Sequence, residues 1–157
     1  MQVWRELPVP LQVLIVKLFR PRYRVAVAAI ILDDKKRILL CEHTYRKFYP
    51  WGLPGGGLEY GETPEYGVKR EVREETGFDV NVDRLLLAES SREFRHVSLI
   101  YLCEIVGGSF KPNLETSQAK FFSMDSLPNL LYTENKLIQR VANQLSLREP
   151  VNHDQLA

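Results

Sequence analysis

Residues 56–78 read GGLEYGETPEYGVKREVREETGF. Gly55, Gly56, Gly57 and Gly61 make a turn whose backbone N–H groups are open to a phosphate. Thr63 is placed to cap a helix, Pro64 to begin it and Gly77 to stop it. The spacing predicts a helix of about 12 residues between them. At about 100° per residue, Glu71, Glu74 and Glu75 share one face, with Val68 and Val72 as the neighbouring apolar stripe. Three carboxylates there repel one another, each pair by roughly 0.2–0.5 kcal/mol even in water, and desolvation beside the stripe raises that cost. A divalent cation removes it. Hard oxygen donors favour Mg2+ or Mn2+, which also bridge phosphate oxygens. For an arbitrary glutamate-rich helix a solvated acidic face is the ordinary reading; the adjoining glycine turn shifts the balance toward a cation.

The stretch resembles the Nudix box, G-x5-E-x7-R-E-U-x-E-E-x-G-U, where U is apolar. Gly56, Glu62, Arg70, Glu71, Val72, Glu74, Glu75, Gly77 and Phe78 fill every specified position. A weaker resemblance runs from about Arg22 to Leu145. The resemblance implies a three-layer α/β/α sandwich with a mixed sheet, an α/β (α+β) fold. It implies hydrolysis of a nucleoside diphosphate linked to a group X, with Mg2+ (or Mn2+) held by Glu71, Glu74 and Glu75 and a backbone carbonyl at Gly55. It assigns Glu62 and Arg70 to holding the loop on the helix. Phosphoryl chemistry asks for these parts: charge neutralisation and an oriented water.

Many relatives of this kind carry a further acid where Gln118 stands here. An amide cannot act as a base. Glu115, three residues earlier, could substitute, so Glu71, Glu74 or Glu115 orients the water, with the box preferred. The competing function is a domain that senses a nucleotide without cutting it; the intact box argues against it and Gln118 weakly for it. Among substrates, nucleoside triphosphates, nucleotide sugars, ADP-ribose, dinucleoside polyphosphates and capped RNA all share the diphosphate, and specificity lives in loops. Glu89 to Arg95 contains no proline, so the sequence gives ADP-ribose no added support.

The loop Thr44 to Pro54 follows a strand and carries Tyr45, Arg46, Lys47, Phe48, Tyr49 and Trp51. Arg46 and Lys47 are substrate candidates, with Gly55 and Gly56; Trp51 is expected to pack the loop under the sheet. Arg92 and Arg95 are candidates for a distal phosphate. His43, His96 and His153 read as surface or structural histidines.

The chain has 157 residues, 45% of them hydrophobic and 26% charged, which fits one soluble globular domain over residues 22–147 with an extension, 1–21, and a loose tail, 148–157. A net charge of +1 gives no bulk case for long nucleic acid or membrane. Cys41 and Cys103 sit in apolar runs as buried thiols of a reducing, cytoplasmic compartment. No apolar run is long enough to span a bilayer. Leu11, Leu14, Ile15 and Leu18 space an amphipathic helix after Pro10, in an end made basic by Arg5, Lys17, Arg20, Arg22 and Arg24. Packing on the domain or on a second subunit, a homodimer, is expected for it, with a membrane-surface helix as the alternative.

Strands are expected at Tyr23–Leu32 and Arg37–His43, forming a hairpin, then at Asp79–Ala88, Val97–Ile105 and Ala119–Ser123. Glu89–Arg95 and Lys111–Ser117 read as loops, Asp125–Leu127 as a brief helical turn, and Tyr132–Leu145 as the closing helix.

Overall fold

The computed structural model describes residues 5, 7–19, 22–91 and 95–146. Arg20, Arg92, His153 and the tail 148–157 lie outside the described residues. The elements are α1 (Val9–Phe19), β1 (Arg24–Ile31), β2 (Ile38–His43), β3 (Trp51–Gly52), β4 (Gly55–Gly57), α2 (Pro64–Thr76), β5 (Phe78–Ser91), β6 (His96–Gly108), β7 (Thr116–Phe122) and α3 (Tyr132–Ser146).

Two sheets form. The four-stranded one runs β4-β1-β6-β5 and is mixed: β1 lies parallel to β6 and antiparallel to β4, and β5 and β6 make a long antiparallel pair. The three-stranded sheet, β3-β2-β7, is antiparallel. The expected β1–β2 hairpin is corrected. Both edges of β1 are taken, by β4 and β6, so β2 meets it only at the bridge Leu32↔Ile38 and then enters the other sheet. The turn between them does form. The Asp33 carboxylate accepts from Lys35 N–H (3.0 Å) and Arg37 N–H (2.8 Å), and Lys36 takes a left-handed φ of 59°.

Alternation along the strands splits the core in two. Val27, Ala29, Ile31, Leu39, Tyr101 and Cys103 face Val68 and Val72 of α2. Ile30, Ile38, Leu40 and Ile100 face Ile138 and Val141 of α3. The sheets are therefore covered by a helix on each side, the sandwich expected. Val68, Val72 and Ile138 are fully buried, each such side chain contributing about 1.5–3 kcal/mol by leaving water. Both cysteines are buried thiols, as expected.

Several boundaries differ. β5 continues through Ser91 and β7 begins at Thr116, because each has a long partner strand to pair with. The loop Thr44–Pro54 contains β3, and Trp51 packs edge-on against Phe122 with ring centroids 4.9 Å apart. The segment near Asp125 is a simple turn closed by Ser126 N–H to Ser123 O (3.1 Å), not a helix. The N-terminal helix begins at Val9 rather than after Pro10, and none of its residues is buried, so it does not pack into the domain core.

Candidate active site

The box helix α2 starts and stops where its sequence dictates. The Thr63 hydroxyl accepts from Tyr66 N–H (3.3 Å), Pro64 needs no partner at the first position, and Gly77, at φ 79°, donates to Arg73 O (2.9 Å). With Val68 and Val72 pinned in the core, Glu71, Glu74 and Glu75 are turned toward the glycine turn and the adjoining rim.

Arg70 ties that turn to the helix. Its Nε and Nη2 donate to Glu62 (3.1 and 2.8 Å), Nη2 also donates to Gly57 O (3.0 Å), and Nη1 donates to Glu71 (2.9 Å) and Glu74 (3.0 Å). Glu62 in turn accepts from Glu59 N–H (2.7 Å). These carboxylates hold the guanidinium firmly protonated.

Glu75 points inward and is 3% exposed. Its Oε2 accepts from Gly55 N–H (2.8 Å), and its Oε1 lies 3.4 Å from His43 Nδ1. The turn is pressed against the carboxylates. A Cβ on Gly56 would sit 2.5 Å from Glu71 Oε2, and one on Gly55 would sit 2.3 Å from the Val27 carbonyl. Burial, then the charges of Glu71 and Glu115, push Glu75 up to about 7 despite the Gly55 bond and Arg46. Burial also raises Glu71, against Arg70 and with help from Glu74 and Glu115.

Glu115 is exposed, but its charge reaches both buried glutamates. Asn113 brings it there. The Asn113 amide donates to the carbonyls of Glu74 (2.7 Å) and Glu75 (3.2 Å) at the end of α2, while its oxygen accepts from the N–H groups of Glu115 and Thr116 (2.8 Å each). Gln118 needs a correction. In β7, Ala119 and Phe121 face the α2 side, so Gln118 falls on the other side with Phe122. It donates to Glu42 Oε2 (2.8 Å), its partner across β2, and takes no part in the carboxylate cluster.

Among the described residues, no three acid, histidine or thiol groups converge tightly enough to hold a metal ion, because Glu71 and Glu74 lean on Arg70. The donor chemistry nevertheless fits a hard dication. All donors are oxygens, and Glu71 and Glu75 are held toward protonation by desolvation and by neighbouring carboxylates, a strain that positive charge relieves.

Behind the turn, on the α3 side, lies a cavity of about 660 Å³. Small residues make its floor, Ala26 and Ala28 of β1 and Ser98 of β6, and Glu134, Leu137 and Arg140 of α3 make its wall. Gly55 and Gly56 line its inner edge, so the same two residues touch both the carboxylates and the cavity. Arg46 also lines it. Its guanidinium donates to Glu134 (3.2 Å), which also accepts from Leu53 N–H (2.7 Å), and its charge lowers the pKa of Glu75.

The other candidates are less engaged. Lys47 is exposed beside the Phe48 ring, 5.7 Å from its centroid, and does not line the cavity. Arg95 is exposed at a left-handed φ of 48°; its carbonyl accepts from Arg24 N–H (2.9 Å), and only its neighbour His96 lines the cavity. Sequence reasoning missed His43, Asn113 and Glu134. His43 is neither a surface nor a satisfied histidine: it is 1% exposed, its Nε2 has no hydrogen-bond partner among the described residues, and burial and Arg46 push it down to about 4. Strand alternation carried that signal, since Leu39 on the same strand faces α2 and His43 follows it by four. Glu134 gave no signal, being one acid in a helical first turn.

The family model of the NUDIX domain matches residues 22–143. This chain belongs to the Nudix hydrolases. Members of this family act on pyrophosphate bonds, and the chain is such an enzyme. An ADP-ribose pyrophosphatase of Methanocaldococcus jannaschii is 40% identical over 120 residues, 73% of this chain and 70% of that protein. The structure of a Streptococcus suis ADP-ribose pyrophosphatase superposes with a TM-score of 0.70 at 30% identity, covering 83% of this chain and 96% of that one. A UDP-X diphosphatase gives 0.74 at 26% identity, covering 92% and 74%.

Proposed function

We propose that this Nudix enzyme hydrolyses the diphosphate of a nucleoside diphosphate joined to a polar group X, with ADP-ribose and nucleotide sugars as the first substrates to try. The observation that carries the reading is the two-sided glycine turn. Gly55 and Gly56 touch Glu75 and Glu71 on one side and line the cavity on the other. A diphosphate lying along the turn therefore puts phosphorus beside the carboxylates and one end of the molecule in the cavity. The names of the relatives above favour that substrate class over triphosphates.

Glu71, Glu74, Glu75 and the Gly55 carbonyl are the groups that would hold Mg2+ or Mn2+. When bound, the cation neutralises diphosphate charge and acidifies water. The chain's own residues do the rest. Gly55 N–H fixes Glu75. Arg46, braced by Glu134, offers positive charge where the turn meets the cavity. Glu115 stands exposed at the rim of the cluster, its charge reaching Glu75, which suits its carboxylate to take the proton from the attacking water. Water oxygen bonds to one phosphorus, the bridging P–O bond breaks, and two phosphate monoesters leave. Gln118, turned to Glu42, no longer favours a non-catalytic sensor.

The test is a panel of diphosphate compounds incubated with Mg2+ or Mn2+, products being identified by mass, with Glu75→Gln as the control. Release of a nucleoside monophosphate and X-phosphate by the wild type alone is expected. A folded, cation-binding wild type that turns over nothing, or a Glu75→Gln protein as active as wild type, would overturn the reading.

A further inference from the structure

No residue of helix α1 lines the cavity. The helix reads VPLQVLIVKLF, none of its residues is buried, and Leu18 and Phe19 are 68% and 81% exposed. Nine of its eleven residues are apolar. They leave no polar face, which corrects the amphipathic helix expected: the two interruptions, Gln12 and Lys17, stand roughly 140° apart around the axis. A helix that is apolar all round belongs inside protein or lipid. A second copy of the chain, or a groove, would cover one side of it. Acyl chains cover every side.

Length and charge narrow the setting. Eleven residues reach about 16 Å, against roughly 30 Å for a bilayer's hydrocarbon core, so α1 is too short to cross. Among the described residues no helix is long and apolar enough to do so. The flanks are basic. The first 24 residues hold Arg5, Lys17, Arg20, Arg22 and Arg24 against one acid, Glu6, a net of +4 in a chain whose total is +1. No acid occurs from Leu7 to Leu32. An apolar segment beside a basic cluster supplies the two signals that stable attachment to an anionic bilayer needs, and Lys17 can carry its charge to the headgroups on its alkyl stem.

We propose that α1 inserts into the acyl layer of one leaflet of an anionic bilayer, without crossing it, and holds the hydrolase there. The experiment is flotation of the full chain with phosphatidylcholine vesicles, with and without about one-third phosphatidylserine, which supplies the negative surface potential. The wild type is expected to float with the anionic vesicles, and at least about tenfold less well with neutral ones or at high salt. Leu14→Asp with Leu18→Asp is expected to abolish flotation while leaving Tm unchanged, since both side chains are exposed. Lys17→Glu with Arg22→Glu is expected to remove the preference for anionic lipid. The proposal is overturned if the wild type stays in solution, if it floats equally with neutral vesicles, or if the aspartate variant floats as well as wild type. It is also overturned if light scattering finds α1 consumed in a dimer that the aspartate variant dissociates and that does not bind vesicles.

Discussion

On the α2 side of the glycine turn, one guanidinium makes five hydrogen bonds, binding Glu62, Gly57, Glu71 and Glu74 into a single unit. On the α3 side, the cavity is lined by residues from five elements and two loops, with Arg46–Glu134, Leu53–Glu134 and the rim pair Arg140–Glu89 among its polar ties. The first region has little freedom to vary without losing its geometry. The second can change one lining residue at a time. Under the proposed function, chemistry is held by a short, mutually bonded segment and selectivity is spread over separate elements, a division that lets one reaction serve different substrates.

That comparison is sharpened most by breaking the chemical side. Glu75→Gln keeps an acceptor for Gly55 N–H but removes the buried charge, and is expected to lower kcat on the order of 10²–10³-fold in steady-state assays with the fold intact. Gly56→Ala comes next. Its methyl group would meet Glu71 Oε2 at 2.5 Å and displace a flexible carboxylate, so kcat should fall by up to about 100-fold while Tm moves little. On the selective side, Ser98→Leu fills the cavity floor. It is expected to raise KM about tenfold and leave kcat within a fewfold, the split that marks lost binding rather than lost chemistry.

The smallest effect concerns pH. Glu75, buried beside His43 and within reach of the charges of Glu71, Glu115 and Arg46, has its pKa raised from 4.5 to about 7, chiefly by desolvation. Between those values the folded protein holds a proton that the unfolded chain has released. Stability from this group is therefore present below about pH 4.5 and lost as pH rises through 7. In chelator, the Tm of the wild type relative to Glu75→Gln should fall between about pH 5 and pH 8, by a few degrees. A flat difference would remove the burial argument.

The two regions were not equally legible in the sequence. Caps, apolar stripe and acidic face of α2 all lie within 23 consecutive residues, and local rules locate each of them. The sandwich was implied by the resemblance of the box, and strand and helix order fitted it. What failed was pairing at a distance: the turn at Asp33 signals a hairpin, yet β1 spends both edges on strands much later in the chain. The cavity was invisible for the same reason. Ala26, Ser98 and Arg140 have no relation in sequence, and the space arises only because β1 and β6 set small side chains side by side. Gln118 misled because its side of β7 is set by alternation with Ala119 and Phe121, which face α2, and by pairing with Glu42 across β2, a distant partner that no local pattern announces.

The central claim, that the α2 carboxylates hold the cation on which hydrolysis depends, is tested most directly by calorimetric titration of Mn2+ into wild type and Glu75→Gln at pH 8. The account predicts saturable binding to the wild type and binding at least about tenfold weaker to the variant, with Tm confirming that both are folded. Equal binding by the two proteins would contradict it.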